Sequence, residues 1–283
     1  MLIWFWLVQL SVVLANQDFY KNNENIFELH SGNFDKVVRS TNYTTIVEFY
    51  APWCGYCKQL KPVYEKLGRF MASDSKLAVN VATVNCDRSV NKQLCAKEQV
   101  TGFPTIKIYR PPKVDLEKPS KSSRHASEIY NGERGLKSII NFVNSRIKNY
   151  VKKVKADTVN EWIEKKGDYK VILVTESTSV TPMLKTLAID FLGEVEFSYI
   201  HAKSSITIDL LDQSLEVTER PTIFFVNKQT NEVRRWEGGK DKVEISKWIM
   251  ESGVTPVEGI LSKKGKASLK YRLGKKKIVH DEL

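Results

Sequence analysis

The chain has 283 residues, 42% of them hydrophobic and 27% charged, with a formal net charge of +11 at pH 7 and an isoelectric point near 9.3. That length holds two domains of ordinary size, and that hydrophobic share excludes a chain disordered over most of its length. The basic balance alone admits nucleic acid or an anionic membrane surface as partner; signals at the two ends of the chain argue against nucleic acid.

Apolar residues dominate positions 2–15, "LIWFWLVQLSVVLA", interrupted only by Gln9 and Ser11. The run falls short of the roughly 20 residues that a membrane-spanning helix needs. Val13 and Ala15 are small enough for the last positions before a signal-peptidase cut. Residues 1–15 therefore read as a signal peptide. A short membrane anchor is the competing reading, since no Lys or Arg precedes the run. The chain ends in His280-Asp281-Glu282-Leu283, the HDEL signal of endoplasmic-reticulum retention. Each end supports the other, and together they place the chain in the lumen of the endoplasmic reticulum, where disulfides persist. The sequon Asn42-Tyr43-Thr44 would then offer Asn42 for glycosylation.

From residue 16 to 150 strands and helices alternate. Residues 44–50 form a buried strand, and "CGYCKQLKPVYEKLGRFM" a helix with Leu60, Val63, Tyr64 and Leu67 at helical spacing. A strand over 76–86, a short helix over 89–99 and a proline-opened strand over 101–110 follow. Residues 111–125, rich in Pro, Ser and Lys, read as an exposed loop. "SEIYNGER" is a fourth strand and residues 135–151 a closing helix. A second segment, 151–261, repeats this grammar: a helix over 159–166, a strand over 169–177, a helix over 181–192 and a strand over 195–202. "SITIDLLDQSL" reads as helical despite its β-branched residues; strands over 219–228 and 231–238 and a helix over 241–252 complete it. The alternation argues for an α/β fold. Phe103-Pro104-Thr105-Ile106 and Arg220-Pro221-Thr222-Ile223 form a weak internal repeat. Residues 262–283 lose apolar periodicity and gain lysine, as a solvated basic tail does.

Cys54 and Cys57 stand where a strand gives way to a helix. A thiol at a helix start meets unpaired N–H groups that favour its thiolate, the nucleophile of disulfide exchange. Cys57 lies one turn deeper, placed to attack a mixed disulfide formed at Cys54. C-x-x-C is also half a zinc knuckle, but Cys86 and Cys95 are not spaced as the other half and the four histidines are scattered. No metal and no cofactor is expected.

"EFYAPWCGYCK", then "GFPT", then "YNGER", in this order, resemble the catalytic thioredoxin-like domain of the protein disulfide isomerases. The resemblance is close over about 25–150, and with one catalytic domain and Cys86 and Cys95 beside it the chain is most similar to the small fungal members. It implies tandem thioredoxin-like domains, each with a central mixed sheet flanked by helices. It implies that Glu48 is the buried carboxylate that accepts the proton of Cys57, rather than an edge glutamate facing water. It implies a cis peptide bond before Pro104, rather than an ordinary strand-opening proline, with the Phe103 backbone and Trp53 meeting the substrate. Arg134 matches the arginine that stabilises the resolving thiolate; otherwise it is a solvated residue at a helix start. The chain departs from the pattern twice. Tyr56, beside Gly55, replaces a histidine, and lacking a cation should make the pair less oxidising. Thr83 replaces a lysine facing the buried glutamate, which should keep Glu48 more readily protonated.

Cys86 ends a strand and Cys95 lies in the next helix, close enough in sequence to be bridged. A structural disulfide, a redox-active one and two free thiols all remain open. The second domain has no cysteine and cannot exchange disulfides; it offers a surface for clients, or it only packs. The expected activity is formation, reduction and rearrangement of disulfides in unfolded secretory proteins. Glutathione or a sulfhydryl oxidase would be the redox partner, and the HDEL receptor, with an acidic or lectin chaperone, a further partner. The rival is a chaperone or scaffold whose thiols are secondary.

Overall fold

The computed structural model describes residues 18–114 and 125–266. The expected signal peptide, most of the loop at 111–125 and the tail from 267 with its HDEL end lie outside the described residues. The chain forms two compact units, one ending at Ile147 and the other spanning Lys148–Gly265.

In the first unit β1 (Phe27–Leu29), β2 (Thr44–Tyr50), β3 (Val79–Asn85), β4 (Thr105–Arg110) and β5 (Ala126–Ile129) form one sheet in the order β1-β3-β2-β4-β5. The first three strands run parallel, and β4 and β5 antiparallel. Every residue of β2 and β3 is buried, which accounts for their unbroken apolar runs: both faces are covered. The helices are α1 (Phe34–Val38), α2 (Gly55–Arg69), α3 (Ser89–Lys97) and α4 (Leu136–Arg146). α2 buries Leu60, Tyr64 and Leu67 of the expected stripe, together with Cys57, leaves Val63 half-buried, and continues as a π-turn over Phe70–Asp74. α4 ends at Arg146, five residues before the expected end, and β5 covers only the first part of "SEIYNGER".

The second unit repeats the plan. Its strands β6 (Lys152–Lys153), β7 (Tyr169–Thr175), β8 (Glu196–His201), β11 (Thr222–Asn227) and β12 (Glu232–Arg235) follow the order β12-β11-β7-β8-β6, the first unit's order read from the other edge. Helices α5 (Val159–Glu164), α6 (Pro182–Asp190) and α7 (Lys242–Met250) flank it. Alternate strand residues serve two cores. Val171, Phe197 and Phe225 pack with α6 and α7 residues, and Ile172, Ile200 and Phe224 with α5 residues.

The expected helix over 205–215 is instead a hairpin, β9 (Ile206–Leu210) and β10 (Gln213–Val217). Ile206, Ile208 and Leu210 alternate with polar residues, a period of two that decides against a helix. Leu211 takes φ 56 in the turn, held by Asn160 of α5, which donates to the Leu211 carbonyl and accepts from its N–H.

Candidate active site

The turn "APWC" links β2 to α2. The Cys54 N–H donates to the Ala51 carbonyl at 3.0 Å, closing the turn, and Cys54 becomes the N-cap of α2 with no side-chain cap bond. Its thiol therefore stands at the helix's positive end, beside the unpaired N–H groups of the first turn. It donates to the Phe103 carbonyl at 3.5 Å. Cys54 is 8% exposed, against 0% for Cys57. Trp53 and Tyr56, 61% and 66% exposed, flank it. Trp53 is fixed by its indole N–H on Asp87 at 3.0 Å and by an edge contact with Phe103 at 5.9 Å. The Phe103–Pro104 peptide is cis, and so is Arg220–Pro221 at the matching place in the second unit.

Cys57 lies one turn into α2. Burial pushes its thiol up to about 12; the neighbouring Cys54 and Glu48 push the same way, and the Ala51 backbone opposes. Glu48 sits on central strand β2, not at an edge, and is fully buried. Thr83 is its register partner on β3, facing it as the sequence implied but without a charge. Burial raises the Glu48 carboxyl to about 8, and a hydrogen bond from Tyr20 and the charge of Arg134 hold it down. Arg134 is exposed, yet its guanidinium points to the site, donating to the Pro104 carbonyl at 3.5 Å. Gly55, with open space around it, opens α2.

Cys86 and Cys95 are joined in a disulfide between the end of β3 and α3, and Cys54 and Cys57 are free thiols. Asn42 lies half-buried in the loop between α1 and β2. Among the described residues no group of three or more His, Cys, Asp or Glu side chains gathers as a metal site.

The sequence reading missed two residues. The Tyr20 hydroxyl donates to Glu48 Oε2 at 2.6 Å. Glu28 of β1 is a second carboxyl raised to about 8, by burial and by Asp18, and it accepts from the Tyr50 hydroxyl at 3.2 Å. The signal lay in "DFY" and "IFEL", aromatic and alternating stretches ahead of the first assigned strand.

Compared with known proteins, residues 25–145 match the thioredoxin family model. Protein disulfide-isomerase MPD1 of Saccharomyces cerevisiae is 36% identical over 94% of this chain and 93% of its own length. A mitochondrial thioredoxin domain-containing protein of Schizosaccharomyces pombe is 34% identical over 81% of this chain and 60% of its own. A putative protein disulfide-isomerase of Dictyostelium discoideum is 29% identical over 82% of this chain and 53% of its own. A crystal structure of ERdj5 aligns with 82% of this chain and 30% of that one, at 18% identity and a TM-score of 0.49.

Proposed function

The chain belongs to the protein disulfide isomerase family, and from that premise we propose that it forms, reduces and rearranges disulfides of secretory proteins in the lumen of the endoplasmic reticulum. The observation that carries this is the pair itself: one thiol at a helix N-cap beside the Phe103 carbonyl, the other buried one turn deeper within the field of Glu48. Cys54 attacks a client disulfide, one client thiolate leaves, and Cys54 holds the other sulfur in a mixed disulfide. Cys57 gives its proton to Glu48 and attacks Cys54, releasing the second client sulfur as a thiolate. The client gains two electrons, and the Cys54–Cys57 disulfide holds the oxidation until reduced glutathione returns it to the dithiol; in the opposite direction, where the client is oxidised, a sulfhydryl oxidase restores the disulfide. Run backwards, the same steps oxidise a client.

Trp53, Phe103 and Pro104 form the client-facing rim, and Arg134 supports the Cys57 thiolate during resolution. Cys86–Cys95 braces β3 against α3. Residues 16–150 carry the chemistry and 151–261 present or orient clients. The HDEL end and the apolar start support the luminal assignment, although one relative is named mitochondrial. Refolding of a scrambled disulfide-rich secretory protein tests the reading. The wild type restores activity, Cys54→Ser does not, and Cys57→Ser accumulates mixed disulfides with the client. Suppression of aggregation in a thiol-free client, with no gain in the scrambled assay, would mark a chaperone instead.

A further inference from the structure

Glu48 is a base with two oxygens in different situations. Oε2 receives the Tyr20 hydroxyl at 2.6 Å; Oε1 is buried and has no hydrogen-bond partner. A buried oxygen without a donor costs free energy, and a catalytic use is one reason for a fold to keep it. Four groups act on this carboxyl: Tyr20 from the segment before β1, Cys57 and Tyr64 from α2, and Arg134 from the loop before α4. The register partners of Glu48 in the sheet, Thr83 on β3 and Ile106 on β4, carry no charge.

Tyr20 is firmly held. Its ring is buried and makes edge contacts with Tyr50 at 5.6 Å and Tyr64 at 5.9 Å. Phe19 stacks on Tyr50 at 4.9 Å, and the Phe19 N–H donates to the Tyr50 hydroxyl at 2.8 Å. Asp18 accepts from Asn85 at 2.9 Å and pairs with Arg88 at 3.1 Å. The segment 18–20 is thus fastened to the sheet by side chains, with one phenol driven inward.

We propose that Tyr20 is a positioning residue for exchange: its hydroxyl holds Glu48 by Oε2 and leaves Oε1 to take the proton that Cys57 sheds. The proposal deepens the functional reading above and rests on it. In the resolving step the Cys57 S–H bond breaks and its proton goes to Oε1. The Cys57 sulfur forms a bond to Cys54, the Cys54–client bond breaks, and the client leaves as a thiolate. Two electrons pass from the protein thiols to the client, and the hydroxyl of Tyr20 neither gains nor loses a proton. Its hydrogen bond is stronger to a carboxylate than to a carboxyl, so it keeps Glu48 ionisable near neutral pH despite complete burial.

The test follows decay of a mixed disulfide between Cys54 and a small peptide disulfide, by acid quench, alkylation and mass spectrometry, from pH 6 to 9. Tyr20→Phe keeps the ring and removes the hydroxyl. Decay near pH 7 falls about tenfold, and the pH profile moves up by about one unit. In the Glu48→Gln background the same change has no further effect. A fluorinated tyrosine introduced at position 20, a stronger donor of nearly the same shape, moves the profile down; it also decides the matter should Tyr20→Phe fail to fold. A profile unmoved by either change overturns the proposal. So does an equal loss in the Glu48→Gln background, which would mean that the ring only packs. A wild type that exchanges, with variants that match it, overturns this inference alone; a wild type that does not exchange overturns the functional reading as well.

Discussion

On the proposed reading two side chains, Tyr56 and Glu48, set the poise of the site, and each can be changed alone. Tyr56 stands two residues after Cys54, 66% exposed in the first turn of α2. Reduction of the Cys54–Cys57 disulfide creates negative charge at that helix start. A cation beside it stabilises the reduced form and raises the potential; a tyrosine offers only a hydroxyl. The pair should then lie between about −180 and about −270 mV, and Tyr56→His should raise it by about 30 mV, or roughly 1.4 kcal/mol for two electrons. Glutathione titration of both proteins decides. An unchanged or lower potential would show that the helix terminus and Glu48 dominate. The Glu48 carboxyl makes a separate mark on stability. Its ordinary value of 4.5 becomes about 8 in the folded protein through burial. The folded state therefore binds the extra proton between those values, and stability falls as pH rises from about 4.5 to about 8. The loss is about 5 kcal/mol at most, taking 1.36 kcal/mol per pH unit over the whole interval. Glu28 is raised to about 8 as well and adds a slope of the same sign, so Glu48→Gln should reduce the slope by about half in urea unfolding of the reduced protein rather than abolish it. A wild-type curve with no such fall refutes the buried-carboxyl account.

Cys86–Cys95 ties the end of β3 to α3 across a sequence separation of nine. Near this junction the Cys86 N–H donates to the Tyr50 carbonyl at 2.8 Å, at the end of the strand that enters the thiol turn. Closing so short a loop restricts the unfolded chain by about 2–3 kcal/mol. Replacing both cysteines with alanine should lower unfolding stability by that amount while exchange at Cys54 persists. Equal stability would mean that the bridge carries no structural weight. The elements show what the sequence could and could not tell. β2 and α2 were legible because their signals agree: an unbroken apolar run, then a helical stripe from Leu60 to Leu67. β1 has three residues and α1 five, too short for a periodic signal to rise above chance. The β9–β10 hairpin was misread because its turn at Leu211 carries none of the Gly or Asn that mark such turns. Asn160, 51 residues away in sequence, supplies what the turn residues lack. The thiols, Glu48, Pro104 and Arg134 were legible through short motifs. Tyr20 was not, because its contact with Glu48 spans 28 residues and belongs to no motif.

At the scale of the whole molecule the chain uses one sheet plan twice and gives the matching helix two different N-caps. In both units a helix follows the central parallel strand: α2 after β2, and α6 after β7. Thr181 caps α6 in the ordinary way, its hydroxyl accepting from the Leu184 N–H at 3.3 Å, with Pro182 next. Cys54 caps α2 and makes no such bond. The second unit thus spends its helix start on stability, and the first leaves its helix start without a side-chain cap. That contrast has a measurable cost. Thr181→Ala should destabilise the protein by about 1 kcal/mol, the usual loss for a good cap, and leave exchange intact. Cys54→Ser places a good capping residue where none acted; it should stabilise the reduced protein by about 0.5–1 kcal/mol while abolishing exchange. Urea unfolding and the scrambled-client assay on the two variants give both axes. If Cys54→Ser is no more stable than the reduced wild type, burial of a hydroxyl beside the Phe103 carbonyl outweighs the cap, and the division between a stabilising and a reactive helix start does not hold.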